Sequence, residues 1–445
     1  MKRIRDLVVF ALCIILALAP AVSANSLPGE WVGTTVTGVS FDGDQCPIEV
    51  LQEHLTFDIP HFPGRYEDYE LNTDSVSNEA SVTAEYVFHN PTDADITATL
   101  LFPLGDQPQY GPGNTVDVTE YGVWIDGERI EMELRHSFRD GIPFSSDRDT
   151  AALRDTLAVH EFYSPELPVT KYTYRLTGAE PLGPNYDTAK LYFYSDPSRT
   201  KVIMAPARSM THREDHTFVG TALNEDLTAV VYEIGQRPEK PHEWTTQAGQ
   251  MELVSTETMS FQHFVLSGRP ADSQISELDW YNMIVDRMTV SEWDGGFLFE
   301  GVFGGSYDHI MPWYRYELTV PAGGSVVNTV TAPLYPTIHE GWSPAIYTYR
   351  YLLSPAKGWA GFGPLDIHIK TPFSMTQCNL EGFEKTAKGY SLRLDGLPEK
   401  ELEFVLSSVK NPKQPGSGIG RRLVLRVVLL AAVLTVIFVS KKRKK

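Results

Sequence analysis

Cysteine is nearly missing from this 445-residue chain, which holds three. Cys13 falls in an apolar leader, leaving Cys46 and Cys378 in the body. No Cys-x-x-Cys pair occurs in residues 25–420, so a thiolate zinc site is excluded. Also lacking are the Gly-x-Ser-x-Gly elbow of many hydrolases, a Gly-x-x-x-x-Gly-Lys phosphate loop and a full twelve-residue calcium loop. Positive charge is scarce: 38 Lys and Arg stand against 57 Asp and Glu, a net of −19.

Long hydrophobic runs are confined to the two ends. Leu7–Ala19 follows Lys2, Arg3 and Arg5 and leads into Val22-Ser23-Ala24, the pattern of an export signal over residues 1–24. Leu423–Ser440 is apolar except for Arg426 and precedes a basic tail at 441–445. At ~1.5 Å per residue such a helix spans roughly 27 Å, enough for the hydrocarbon core of a bilayer. The two ends predict a single-pass protein of the cell membrane, its N-terminus and ectodomain extracellular and its C-terminus cytoplasmic. Arg426, one turn into the span, either snorkels outward or pairs with an acidic residue of a membrane partner.

The leader contributes three basic residues and one acid, and the segment 421–445 eight basic residues. Residues 25–420 therefore keep 27 basic and 56 acidic residues, a net of −29. A surface so negative repels nucleic acid and favours a ligand that is basic or bridged by cations. Export permits a disulfide between Cys46 and Cys378; two buried free thiols are the alternative.

The body reads as mainly β. Ser81–His89 alternates, Asn90-Pro91-Thr92-Asp93 turns the chain, and alternation resumes from Ile96 to Phe102. Asp126-Gly127 is a type I′ pair between two alternating runs, setting Ile125 opposite Glu128 and Val123 opposite Ile130. Further strands are expected at 172–176, 190–194, 201–204, 229–232 and 261–266. Others follow at 297–302, 314–320, 326–332, 346–353, 365–369, 390–394 and 402–406. Residues 274–289 repeat apolar positions at steps of three and four behind Ser273 and predict one helix.

The expected architecture is two or more β-sandwich domains with one short interdomain helix, a signal segment and a transmembrane helix. The divisions are an N-terminal sandwich at 25–235, a linker and helical segment at 236–295 and a C-terminal sandwich at 296–410. A stalk at 411–422 then leads to the membrane span at 423–440.

The run Tyr86-Val87-Phe88-His89-Asn90-Pro91, with Ile96 through Phe102-Pro103-Leu104 and the Asp126-Gly127 hairpin, resembles the core of the vault/inter-alpha-trypsin (VIT) type of β-domain over about 75–140. Tyr349 through Pro355, Trp359, Gly361 and Leu365 are similar to a motif of uncharacterised bacterial exported proteins. The resemblance implies an extracellular β-domain and supplies no catalytic residue.

His212-Arg213-Glu214-Asp215-His216 is the strongest metal candidate, since His at i and i+4 would share a helical face with an acid nearby. The zincin order places Glu directly after the first His, and here Glu214 is one position late; a solvated loop is the simpler reading. The acid pairs Asp42/Asp44, Asp93/Asp95 and Asp147/Asp149 suit either calcium or turn chemistry. Trp293, Trp313, Trp342 and Trp359 read as core packing, with sugar stacking the alternative. These features favour an extracellular binding or scaffolding protein with no catalytic residues and no cofactor. An exported metal-dependent hydrolase built on His212, Glu214 and His216 is one alternative, and an accessory ectodomain of a membrane complex is another.

Overall fold

The computed structural model describes residues 35–37, 40–41, 46–63, 79–104, 121–138, 149, 151–178, 189–194, 196–213, 216–223, 227–238, 240–246, 249–292, 296–299 and 310–414. Both terminal apolar segments, Arg426, Glu214, Trp293 and the pair Asp42/Asp44 lie outside these residues. Among the described residues no helix is long and apolar enough to cross a membrane.

The protein is mainly β, with five sheets and two α-helices among the described residues. Alternation reports one buried face per strand, and Ser81–His89 shows it cleanly: Val82, Ala84, Tyr86 and Phe88 are all buried. The Asp126-Gly127 turn forms as expected, both residues at positive φ (52° and 85°), and Ile125 pairs with Glu128. At the preceding turn, Asn90 is fully buried. Its amide donates to the Ala94 and Val320 carbonyls, and its Oδ1 accepts from the Thr92 amide and hydroxyl.

The linear division into sandwiches at 25–235 and 296–410 does not hold. Cys46–Asp58 pairs with Ser81–His89 on one side and, in parallel, with Leu365–Lys370 on the other. Ser81–His89 in turn pairs with Ser325–Pro333. One nine-stranded sheet thus draws on both outer thirds of the chain, and a single core runs from Cys46 to Leu406 beneath it. A four-stranded sheet containing Ile96–Pro103, Ile310–Val320 and Glu133–Phe138 covers this core, as does a five-stranded one containing Ile346–Leu352 and Leu402–Ser407. Closing the outer strands on each other buries apolar faces that neither end could cover alone.

The middle of the chain forms a second unit. Its five-stranded sheet runs Gln250–Ser260, Pro168–Thr177, Thr228–Gly235, Thr200–Ala205 and Phe297–Phe299. Tyr172, Tyr174, Val202, Met204 and Val231 point from one face toward a four-stranded sheet carrying Leu191, Phe193 and Val219. Val169, Ile203 and Ile234 point from the other toward helices α1 (Phe261–Ser267) and α2 (Glu277–Val290).

Residues 261–266, expected as a strand, are α1. The Ser260 hydroxyl accepts from the His263 amide, and Phe261, Phe264 and Val265 fall on one buried face at helical spacing. The single expected helix is therefore one of two. Helix α2 begins at Glu277 with Ser276, not Ser273, as its cap, and Ser276 accepts from the Asp279 amide.

Asp279 also joins the two units. Arg135, buried on Glu133–Phe138 of the first unit, donates Nε to Asp279 Oδ1 at 3.0 Å, and the His136 amide donates to Oδ2 at 2.9 Å. Asp155 and the Arg154 carbonyl take the remaining guanidinium edges at 2.9 and 2.8 Å. Asp279 lies in the first turn of α2, where the helix dipole also favours a negative charge.

A cation-lined cleft at one end of the middle sandwich

Thr228–Gly235 ends where Thr200–Ala205 begins, Gly235 lying opposite Thr200. Gly235 has φ of 100°, and a Cβ there would fall 2.4 Å from the Arg199 carbonyl oxygen, so only glycine fits the junction. Beyond it the described residues Gln236, Arg237, Pro238 and Lys240 face the turn Asp196–Thr200 and Tyr194. Together these residues enclose a cleft of about 310 Å³, the lower end of the range for small-molecule sites.

Its lining is cationic. Asp196 is occupied within its own turn: Oδ1 accepts from the Ser198 amide at 2.9 Å and hydroxyl at 2.7 Å. Those two donors hold its carboxyl below the ordinary value, with Arg199 and Lys201 adding to the effect. The Thr200 hydroxyl donates to the Gln236 carbonyl across the junction. Lys240 Nζ lies 4.1 Å from the centroid of the Tyr194 ring, and the Arg237 guanidinium 5.5 Å from that of Tyr172.

Behind Arg237 lies a buried polar chain. Arg237 Nε donates to the Tyr172 hydroxyl at 2.8 Å, and that hydroxyl donates to Glu233 Oε2 at 2.7 Å. Glu233 Oε1 stands 2.9 Å from His242 Nε2, both side chains 4% exposed, and His242 Nδ1 meets the Tyr174 hydroxyl at 2.9 Å. Alternation dictates the placement: Glu233 follows Val231 by two positions and so faces the space between the sheets. Burial, reinforced by Glu233, pushes the Tyr172 hydroxyl up to about 12, so it stays a proton donor at neutral pH.

The sequence-derived candidates lie elsewhere. His212 ends strand Ser209–His212, which pairs with Thr217–Thr221 in a hairpin, so the two histidines do not share a helical face. His212 Nδ1 is 2.9 Å from the Thr217 hydroxyl, and the His216 ring lies among Tyr192, Tyr194 and Phe218. Among the described residues no three His, Cys, Asp or Glu side chains are grouped to hold a metal ion. Asp95, one of the candidate calcium acids, instead accepts from the Ala322 amide at 2.9 Å.

The bridge between Cys46 and Cys378 is not made; both are free thiols. Cys46 opens a strand of the nine-stranded sheet beside Trp359, whereas Cys378 ends Ser374–Cys378 in another sheet, opposite Phe404. Trp313 and Trp359 are core residues, as expected. Trp342 instead lines a second cleft of about 260 Å³ with Pro63, Glu340, Pro344 and Tyr347.

Arg199, Arg237, Lys240, Glu233 and His242 were not legible as a site: Arg237, Lys240 and His242 fall at the start of the segment 236–295 read as linker and helix, and Arg199 and Glu233 lie apart from them in sequence. The available signal was three basic residues close to the Asp196 turn or the 236–241 segment, in a chain short of positive charge.

No family model matches this chain, and no curated protein matches it. A crystal structure of a candidate nutrient-binding protein from Legionella pneumophila overlaps with a TM-score of 0.34 and 9% sequence identity, over 84% of this chain and 71% of that one. An overlap at that level does not define a shared fold.

Proposed function

We propose that this chain is a single-pass, membrane-anchored extracellular binding or scaffolding protein without catalytic activity. The observation that carries the binding role is the cleft at the end of the middle sandwich. Its walls offer the hydrogen-bond donors of Arg199, Arg237 and Lys240 and the ring of Tyr194, with Arg237 held by a buried polar chain. Such groups grip a ligand, and the one hydroxyl nucleophile among the lining residues besides Tyr194, that of Thr200, is engaged with a backbone carbonyl. The export-like leader, the apolar segment 423–440 and the basic tail support the anchored, outward-facing arrangement. Outside the cleft, the acidic surface favours a macromolecular partner that is basic or bridged by cations.

The experiment is a pull-down with the detergent-solubilised full chain at low and at moderate salt. A specific partner captured at low salt and lost as screening rises supports the reading. Hydrolytic activity that disappears in H212A/H216A would favour the metal-dependent enzyme instead. Loss of a co-purifying membrane protein in R426L alone would favour the accessory subunit.

A further inference from the structure

The cleft contradicts the charge of the protein that carries it. Among the described residues, three that line it are cations, Arg199, Arg237 and Lys240, and one is an acid, Asp196. Among the described residues none of the three cations forms an ion pair within 4 Å of a carboxylate. Arg237 and Lys240 rest on aromatic rings, which leave a positive charge in place. In a chain with 57 acidic residues, carboxylates were abundant as partners. Asp196 and Glu233 act on Arg199 and Arg237 only from beyond ion-pair distance, so an anion entering the cleft gains attraction from all three cations.

Arg237 is also preorganised. Its Nε is fixed by the Tyr172 hydroxyl, itself tied to buried Glu233 and through it to His242. Among the described residues the two terminal nitrogens of the guanidinium have no hydrogen-bond partner. A planar fork held by its inner nitrogen matches an oxyanion with two parallel donors. Lys240 and Arg199 supply further charge from the facing segments, within a Debye length of the same point.

We infer that this cleft binds a small ligand through an oxyanion group (phosphate, sulphate or carboxylate) seated on Arg237, with Arg199 and Lys240 as its flanking charges. The inference rests on the binding role proposed above and names the ligand class of that site. The long-range field of the protein opposes it, so the ligand is small enough to feel local charges once inside.

The test is isothermal titration of the detergent-solubilised full chain with inorganic phosphate, sulphate and glucuronate separately. At least one should bind with a dissociation constant in the millimolar range or tighter, weakening as sodium chloride is raised. Binding of phosphate and sulphate alone assigns a tetrahedral oxyanion, and binding of glucuronate alone a carboxylate. R199Q/K240Q, two changes at exposed side chains, should weaken binding at least about tenfold with the thermal melt unchanged. Y172F, which keeps the guanidinium but frees its Nε, should weaken it severalfold, and a milder loss than R237Q would show positioning. The inference is overturned if none of the three anions binds up to about 20 mM, or if R199Q/K240Q binds as tightly as the unaltered chain. Because the pull-down reads macromolecular capture, its success alongside failed titrations would remove the ligand class and leave the binding role standing.

Discussion

Replacing Glu53 by Gln should stabilise this protein, and by an amount set by pH. Glu53 is 1% exposed, within the core shared by the two outer thirds of the chain. Its Oε1 accepts from the Tyr351 hydroxyl at 3.5 Å, and Tyr351 in turn contacts the Tyr86 hydroxyl at 3.2 Å. Burial raises the carboxyl from 4.5 to about 7 against the weaker opposing hydrogen bonds it receives from Tyr86 and Tyr351. A folded-state value above the unfolded one destabilises the native state as pH rises. The penalty is absent below 4.5, grows between 4.5 and 7, and is constant above. At about 1.4 kcal/mol per unit, the full difference is about 3 kcal/mol. Gln keeps the size and the acceptor, and its amide can donate to the tyrosine oxygens. Urea unfolding at pH 4 should therefore place E53Q near the unaltered protein, and at pH 8 about 3 kcal/mol above it. An E53Q protein equal to or weaker than the parent at pH 8 would refute the assigned burial and its energetic consequence.

Three further outcomes follow from the same structure. Asp279→Ala leaves the Arg135 guanidinium buried with the exposed Asp155 as its main remaining carboxylate, and should cost about 3–5 kcal/mol in urea unfolding; a loss below about 1 kcal/mol would contradict a joint held by Asp279. Gly235→Ala places a methyl against the Arg199 carbonyl at positive φ; a stability lowered by roughly 1–3 kcal/mol in urea unfolding and weakened anion binding are expected, and an unchanged stability would show that the junction tolerates a side chain. Burial pushes the Cys46 and Cys378 thiols above their ordinary value, so in a C13S protein a chromogenic disulfide reagent should react slowly with the native state and count both thiols after unreduced unfolding; no thiols in that second assay would restore the disulfide.

Strands whose alternation is clean were readable before the fold was known, and Ser81–His89 matches residue for residue. The long central strand Cys46–Asp58 was not, for two physical reasons. A bulge between Val50 and Gln52 shifts its phase, and Glu53 sits buried where the pattern calls for an apolar side chain. Gln250–Ser260 escaped likewise, being largely exposed, with its register broken between Leu253 and Ser255. Once the central strand is missed, nothing in the order of the remaining elements announces that Cys46–Asp58 and Leu365–Lys370 share one sheet. In α1, phenylalanine and valine suggest a strand by type, while their spacing at positions 261, 264 and 265 is helical. The cleft was least legible: its residues come from turns between strands, and their convergence depends on pairings remote in sequence.

Whether the proposed binding body faces outward on a C-terminal anchor can be read by adding protease to intact cells and immunoblotting both ends of the chain. Nearly all the polypeptide should be cleaved away while a short fragment carrying the basic tail stays with the membrane. A full-length chain that survives treatment of intact cells and is cut only after lysis, or a mature product recovered in the cytosol, would contradict it.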